Sequence, residues 1–390
     1  MAFVTASAII QPVCGDVEKE AEIQRPVISG KAIESKKAPA INALAAVVME
    51  ASSGRVLYSK NAAVKRSIAS TTKIMTAIVA LENGNLQDTV TISRKAAGIG
   101  GSTLGLREGQ EFTLRELLYA MLMISANDAA IAVAEHIGDT VEGFAEMMNQ
   151  KARSIGAADS HFVTPHGLDT GDQYSTAYDM AIITRYAMKN PVFAKIVATS
   201  DFSIPGFSLY NTNELLGAYP GVDGVKTGYT GKAGRCLITT AQRAGMRVIS
   251  VVFGSPTRSA RANATKSLLE YSYENYKMKK LVNAGDVYAD IQVNRGTKSN
   301  VALIAVQNVE LPLSEAESES LEMREFKPKI MNAPVYAGTE AGYVEYLVNG
   351  EIVASSNLTV AESIRRKTYF DYFAIILKAW GRTMREGIFA

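Results

Sequence analysis

The sequence predicts an α+β fold, followed by a small all-β domain and a C-terminal amphipathic helix. A β-hairpin, several apolar helical segments, two long strands and a last helix follow one another up to about residue 276. Short alternating strands follow, and aromatic residues at helical spacing occupy the last segment. The 390 residues, 47% hydrophobic and 21% charged, suffice for two domains. We expect boundaries at 1–40 (signal remnant and linker), 41–276, 277–362 and 363–390.

The N-terminal stretch "MAFVTASAIIQPVCG" is apolar but short, and it lacks a basic region before the apolar run. It resembles the apolar end of a secretory signal, so we expect an exported protein. An unstructured apolar N-terminus is the alternative. Residues 16–40 are charged, contain Pro and Gly, and are typical of a linker.

Residues 41–276 show a regular order of elements. "ALAAVVMEASSGRVLYSKN" predicts a β-hairpin, and "SIASTTKIMTAIVALENGN" a helix that ends near Gly84. "TLRELLYAMLMISANDAAIAVAEHIG" is an apolar helical region that polar side chains interrupt at Ser125-Ala126-Asn127. "STAYDMAIITRYAMKN" predicts a capped helix. The segment 221–255 predicts two long strands with a turn near Ala244-Gly245, and "TRSARANATKSLLEYSYENY" predicts the last helix.

The part after residue 277 consists of short alternating strands, such as "DVYADIQVNRG" and "NVALIAVQN", separated by turns. This pattern predicts the small all-β domain. Within it, "SEAESESLEMRE" predicts an acidic surface loop.

The segment "RRKTYFDYFAIILKAWGRTMREGIFA" has an aromatic stripe at helical spacing, with basic residues beside it. It is too short and too charged to span a bilayer. We expect an interfacial helix that binds the membrane surface, and a helix docked on the second domain is the alternative.

Composition excludes several classes of function. Lys+Arg 41 against Asp+Glu 39 gives a formal net charge of +2, which provides no indication of nucleic-acid binding. The two cysteines, Cys14 and Cys236, are too far apart in sequence for a CxxC zinc site, and the three histidines lack HExxH spacing. These spacings therefore predict neither a CxxC zinc site nor a zincin.

A serine and a lysine share one face near the start of the first helix. Lys73 follows Ser70 by three residues. A neutral lysine amine can take the proton of a serine hydroxyl when burial or nearby cations lower its pKa. The helix N-terminus also offers N–H groups to an oxyanion. We therefore expect Lys73 to activate Ser70, although S-x-x-K alone occurs in many helices by chance.

Two further segments strengthen this expectation. Ser125 and Asn127 interrupt an apolar run, where buried polar groups need hydrogen bonds. Lys226, Thr227 and Gly228 could supply charge, a hydroxyl and close backbone approach for a substrate carboxylate. The alternatives are an ordinary helix cap and a turn that enters an edge strand.

The ordered trio Ser70-x-x-Lys73, Ser125-x-Asn127 and Lys226-Thr-Gly resembles the signatures of serine β-lactamases and penicillin-binding proteins. "SIASTTKIMTA", "SANDAA", "HGLDTGDQYSTAYDMA" and "GVKTGYTGKAGRCL" are similar to the low-molecular-mass D-alanyl-D-alanine carboxypeptidases over residues 42–275. The resemblance implies a mixed antiparallel sheet flanked by helices, with the active site where the helices meet the sheet.

The resemblance also implies the roles of the site residues. Ser70 is the acylated nucleophile, Lys73 its proton acceptor and Ser125 a proton relay. The substrate-binding residues are Asn127, Lys226, Thr227, Gly228, Tyr229 and Arg261. N–H groups of Ser70 and Tyr229 form the oxyanion hole. Arg258 competes with Arg261 as the carboxylate ligand, Tyr229 stands where some members carry histidine, and His166 is expected to be structural.

By this resemblance the protein is an exported, membrane-attached bacterial hydrolase that removes the terminal D-alanine from peptidoglycan stem peptides and binds β-lactams. The resemblance implies that the reaction needs no metal and no organic cofactor. No E-x-x-L-N motif lies between Asn127 and Lys226, which disfavours a class A β-lactamase. A penicillin-binding sensor with little turnover and a D,D-endopeptidase remain alternatives.

Overall fold

The computed structural model describes residues 38–169 and 171–386. The predicted signal segment and most of the linker lie outside them. The strands are β1 Ala45–Glu50, β2 Val56–Lys60, β3 Thr89–Thr91, β4 Glu111–Thr113, β5 Asp201–Ile204, β6 Phe207–Tyr210, β7 Val222–Thr230, β8 Gly234–Arg243, β9 Met246–Ser255, β10 Lys277–Val282, β11 Val287–Asn294, β12 Asn300–Ala305, β13 Val309–Leu313, β14 Leu321–Phe326, β15 Ile330–Asn332, β16 Glu340–Val348 and β17 Glu351–Val360. The helices are α1 Lys73–Asn83, α2 Arg94–Ala97, α3 Leu114–Met123, α4 Asn127–Gly138, α5 Val141–Ser154, α6 Ala177–Ala187, α7 Pro191–Val197, α8 Arg258–Asn275, α9 Glu315–Glu319 and α10 Tyr369–Glu386, and a 3₁₀ helix spans Ala69–Thr72.

The first part of the chain is built on a five-stranded antiparallel sheet in the order β2-β1-β9-β8-β7. The predicted hairpin and the predicted turn at Ala244-Gly245 are confirmed. The expectation of two strands over 221–255 is wrong, because the structure has three. Lys226-Thr227-Gly228 lies inside the edge strand β7. Val, Thr and Tyr in this segment favour a strand, but the glycines around Lys226 suggested a turn, and the ladder with β8 shows that the strand is continuous.

Strand β1 shows why helices cover both faces of this sheet. All six of its residues are buried, and alternate side chains point to opposite faces. Ala45, Val47 and Met49 join the core that includes apolar residues of α1, α3 and α4. Ala46 and Val48 join a second core that α8 closes from the other side. The predicted sheet flanked by helices is thereby confirmed.

Two of the predicted helix boundaries position the site. Helix α1 ends before Gly84, as expected. The long apolar region is two helices, α3 and α4, and the segment from Ile124 to Ala126 joins them. Ser125 has φ +68, a left-handed conformation that no continuous helix admits. Asn127 is therefore the first residue of α4.

The C-terminal β-rich domain contains a six-stranded sheet in the order β14-β16-β17-β12-β11-β15 and its own core. The prediction of an acidic surface loop is wrong. Its residues form the capped helix α9 and strand β14, because Ser314 and Glu317 make a reciprocal capping box. Glu317 is buried and forms an ion pair of 2.5 Å with Arg55, which follows the β1–β2 turn.

Helix α10 follows this domain and presents large apolar side chains to solvent. Tyr369, Phe370, Phe373, Ile376 and Trp380 are each at least 60% exposed. Within the described residues, none of the helices combines the length and the hydropathy that crossing a bilayer requires.

Candidate active site

Ser70 lies in the 3₁₀ helix directly before α1, between the edge strand and the helices. Ala69, just before it, has φ +48, an uncommon conformation for a residue with a side chain. This geometry turns the chain sharply, so that Ser70 is partly exposed while its neighbours Ala69 and Thr71 are buried. Strained backbone of this kind occurs often at active sites, where the surrounding structure maintains it.

Lys73 is the first residue of α1, and its side chain is fully buried. Its Nζ lies 3.0 Å from Ser70 Oγ, 2.7 Å from Asn127 Oδ1 and 2.8 Å from the carbonyl oxygen of His166. A buried ammonium without a carboxylate partner is costly, whereas a neutral amine in the same place is not. The structure therefore brings the predicted pair together in a setting that disfavours the charged lysine.

Asn127 determines how the lysine is oriented. Its Nδ2 donates to the carbonyl of Gly100 at 2.8 Å, so its Oδ1 faces Lys73. A neutral amine has two N–H donors and one lone pair. Asn127 Oδ1 and the His166 carbonyl accept the two N–H groups, so the lone pair is left for the hydroxyl of Ser70. The contacts thus fit a lysine that accepts the serine proton.

The electrostatics agree with this geometry. Burial lowers the pKa of Lys73 well below its usual value, and the charge of Lys226 lowers the pKa further. Asp128 acts in the opposite direction. Burial also lowers the pKa of Lys226, to about 7, and the nearby Arg261 adds to that shift. The charge on Lys226 therefore favours the neutral form of Lys73.

The loop around His166 and Gly167 closes over the Ser70 turn. Gly167 has φ +84, and a Cβ there would lie 2.0 Å from the carbonyl oxygen of Ala69. Only glycine permits this approach, which delivers the His166 carbonyl to Lys73. The imidazole of His166 is buried, accepts the N–H of Leu168, and has its pKa lowered to about 4, mainly by burial. These contacts fit a structural imidazole.

Ser125 lies at the junction of α3 and α4 and is mostly buried. Within the described residues, its hydroxyl has no hydrogen-bond partner. The role of Ser125 as a proton relay therefore stays a prediction.

Strand β7 forms the opposite wall of the site. A Cβ on Gly228 would lie 3.1 Å from the backbone nitrogen of Ser70, so the strand runs directly beside the nucleophile. This approach fits the expected oxyanion hole from the N–H groups of Ser70 and Tyr229. Lys226 is buried and donates to the carbonyl of Thr227 at 3.0 Å. Thr227 Oγ1 lies 2.8 Å from the hydroxyl of Thr212.

Tyr229 follows the Lys226-Thr227-Gly228 segment, and the residue is 55% exposed. The guanidinium of Arg235 stacks on it, 3.8 Å from the ring centroid. The ring therefore lies at the mouth of the cleft.

The two arginine candidates differ sharply. Arg258 is exposed at the first residue of α8, whereas Arg261 is 4% exposed. Arg261 donates to the carbonyl of Cys236, which pairs with Gly228 across the sheet. It also forms a two-pronged ion pair with Glu214. Arg261 is therefore the better placed of the two beside strand β7, and its role as the carboxylate ligand stays a prediction.

Several contributors were not found from the sequence. Asp128 is buried and accepts N–H groups from residues 104–106, which fixes the loop that contains Gly100. A charged residue inside an apolar helix was the available signal. The His166 carbonyl, Thr212 and Glu214 gave no signal, because backbone groups and loop residues act only through the folded arrangement. No cluster of His, Cys, Asp and Glu able to hold a metal ion occurs in the described part of the chain.

Comparison with known proteins gives consistent matches. The profile of the D-alanyl-D-alanine carboxypeptidase family matches residues 32–257, and that of the penicillin-binding protein 5 C-terminal domain matches residues 276–366. The D-alanyl-D-alanine carboxypeptidase DacF of Bacillus subtilis is 34% identical over 87% of this chain and 90% of its own length. Penicillin-binding protein 5 of Haemophilus influenzae has a crystal structure that is 32% identical. It superimposes with a TM-score of 0.77 over 85% of this chain and 100% of its own.

Proposed function

This chain belongs to the D-alanyl-D-alanine carboxypeptidase family, and from that premise we propose that it removes the terminal D-alanine from peptidoglycan pentapeptide stems. The observation that supports the proposal most directly is the set of contacts around Lys73. Its buried amine has two acceptors for its N–H groups and lies 3.0 Å from the hydroxyl of Ser70. That arrangement suits a serine nucleophile activated by a neutral lysine.

The reaction begins when Ser70 Oγ attacks the carbonyl carbon of the penultimate D-alanine and its proton passes to Lys73 Nζ. The N–H groups of Ser70 and Tyr229 stabilise the oxyanion of the tetrahedral intermediate. The intermediate collapses, the C–N bond breaks, and the leaving nitrogen takes the proton back from Lys73, with Ser125 as the relay. Free D-alanine departs and leaves an ester on Ser70. A water molecule then hydrolyses this acyl-enzyme.

Asn127 holds the substrate amide, while Lys226, Thr227 and Arg261 bind the terminal carboxylate. A β-lactam enters by the same route, because its strained amide and carboxylate imitate the peptide. Its leaving nitrogen stays attached to the acyl group, and the ester therefore persists. Penicillin is accordingly an inhibitor of this enzyme.

The decisive experiment measures D-alanine release from diacetyl-Lys-D-Ala-D-Ala together with labelling by a fluorescent penicillin. We expect both signals in the wild type and neither in Ser70→Ala. Ser67→Ala is the matched control, since it removes a nearby hydroxyl outside the contacts of Lys73, and it should retain both. Labelling without release would favour a sensor or an endopeptidase. The absence of both signals in the folded wild type would exclude Ser70 as the nucleophile.

We also propose that the protein acts on the extracytoplasmic face of the membrane and that α10 attaches it there. The exposed aromatic stripe of α10 and the basic residues Arg365, Arg366 and Lys367 before it support this attachment. Deletion of residues 366–390 should release the protein from sedimenting vesicles that contain anionic lipid. A shortened protein that still sediments would refute the attachment.

We propose domain boundaries at residues 40, 276 and 362, as expected from the sequence. The separate sheets and cores on either side of residue 276 support the central boundary.

A further inference from the structure

Arg261 is almost fully occupied by contacts within the protein. Its Nε donates to Glu214 Oε1 at 3.1 Å, and its Nη2 lies 2.6 Å from each of the two carboxylate oxygens. Its Nη1 donates to the carbonyl of Cys236 at 3.3 Å. All three guanidinium nitrogens therefore have a partner before any substrate arrives.

This occupation matters because arginine recognises a carboxylate through a planar edge with two parallel N–H donors. Glu214 occupies the Nε–Nη2 edge of Arg261. The Nη1 side is partly used by a backbone carbonyl of strand β8. Nη2 belongs to both of the edges through which a guanidinium can offer two donors, and it contacts both Glu214 oxygens. A substrate carboxylate can therefore bind through two parallel hydrogen bonds only if the Glu214 carboxylate leaves.

The segment that carries Glu214 is held against the substrate-binding strand. Thr212 donates its N–H to the carbonyl of Met123 and places its hydroxyl 2.8 Å from that of Thr227. Asn213 Nδ2 donates to the carbonyl of Gly224 at 2.8 Å. These contacts hold the segment in place. The Glu214 side chain is 34% exposed, while the side chain of Arg261 is 5% exposed. The glutamate can therefore move into solvent, whereas the arginine is held in place.

We propose that Glu214 is a specificity-determining residue whose carboxylate competes with the terminal carboxylate of the peptide for Arg261. This inference rests on the proposed function. A peptide that ends in a free carboxylate must displace Glu214, and breaking that ion pair offsets part of its binding free energy. A peptide whose last residue is a carboxamide has no such group to place on Arg261, so it binds without that cost. Glu214 therefore reduces the preference for free carboxyl termini that an unpaired arginine would give.

The test compares diacetyl-Lys-D-Ala-D-Ala with the same peptide ending in a carboxamide, for the wild type and Glu214→Gln. Glutamine keeps an oxygen that accepts from Arg261 but removes the charge. We expect kcat/KM for the acid peptide to rise by roughly fivefold or more, mainly through a lower KM. The value for the carboxamide peptide should stay within about twofold, so the acid-to-amide ratio rises.

Two further variants separate competition from simple structural support. Glu270→Gln breaks a Glu–Arg pair with Arg243 outside the described site, and it should leave the acid-to-amide ratio unchanged. Glu214→Asp keeps the charge but shortens the side chain, and it should give an intermediate ratio. Thermal unfolding of each variant identifies any that fails to fold.

The outcomes are distinguishable. If Glu214→Gln is folded and its acid-to-amide ratio stays constant or falls, Glu214 supports Arg261 and does not compete, and the inference is wrong. That result leaves the proposed function intact as long as the wild type releases D-alanine. If the wild type releases no D-alanine and no D-alaninamide, the proposed function itself fails.

Discussion

Gly167 is the position where one added methyl group should disable the nucleophile without touching any reacting atom. The residue has φ +84, and a Cβ would lie 2.0 Å from the carbonyl oxygen of Ala69 and 2.7 Å from Thr72 Oγ1. Both contacts are far inside van der Waals distance, and the closer one is to backbone. In Gly167→Ala, the loop and the Ser70 turn must therefore move apart.

Two costs add in this variant. A left-handed conformation costs an alanine about 1–2 kcal/mol. Overpacking against a backbone that must shift adds about 1–3 kcal/mol, so we expect a loss of about 2–5 kcal/mol in the free energy of unfolding. The functional loss arises because the adjacent His166 carbonyl accepts from Lys73 at 2.8 Å. A displacement of about 1 Å there should slow acylation by about 100-fold.

The measurement is the second-order rate of labelling by a fluorescent penicillin, together with chemical unfolding. Gly105→Ala is the matched control, because Gly105 has the same φ of +84 and a Cβ added there would meet no atom within 4 Å beyond its chain neighbours. It should lose only about 1–2 kcal/mol and acylate at the wild-type rate. Gly167→Ala and Gly105→Ala with equal stability and equal acylation rates would refute the argument from steric contact.

Three further predictions concern Lys226, Asn127 and Arg55. Burial lowers the pKa of Lys226 to about 7, so its charge is present below that pH and lost above it. The kcat/KM for the acid peptide should therefore fall above pH 7 relative to that for the carboxamide peptide, and parallel pH profiles for the two peptides would contradict this. Asn127→Asp places a carboxylate beside Lys73 and raises the pKa of the amine. In a plot of the penicillin acylation rate against pH, the rise should shift to higher pH by about one to three units. A rise at the wild-type pH would argue against Lys73 as the base. Arg55→Ala removes the ion pair with Glu317 and should lower the unfolding temperature in calorimetry while acylation stays at the wild-type rate; an unchanged transition would mean that the pair contributes nothing to stability.

Much of the fold could be predicted because it depends on local patterns. The hairpin around Ser52-Ser53-Gly54, the end of α1 before Gly84 and the turn at Ala244-Gly245 follow from glycine and from hydrophobic period. Strand β7 was missed as a separate strand, since its glycines suggest a turn and only the pairing with β8 shows where one strand ends and the next begins. The helix α9 was missed because an acidic run also suits a loop, although the capping box of Ser314 and Glu317 is a local signal in the sequence.

The sequence by itself identified side chains that the structure brings together. These are Ser70 and Lys73 by their spacing on one turn, Asn127 at a polar break in an apolar run, and Lys226 with Thr227 beside a glycine. These signals are local, and helix geometry turns spacing into proximity. Only the tertiary structure decided the state of these groups. The pKa of Lys73 depends on burial and on the charge of Lys226, and its orientation depends on the His166 carbonyl. The pairing of Arg261 with Glu214 joins residues 47 positions apart, and such contacts exist only after the chain has folded.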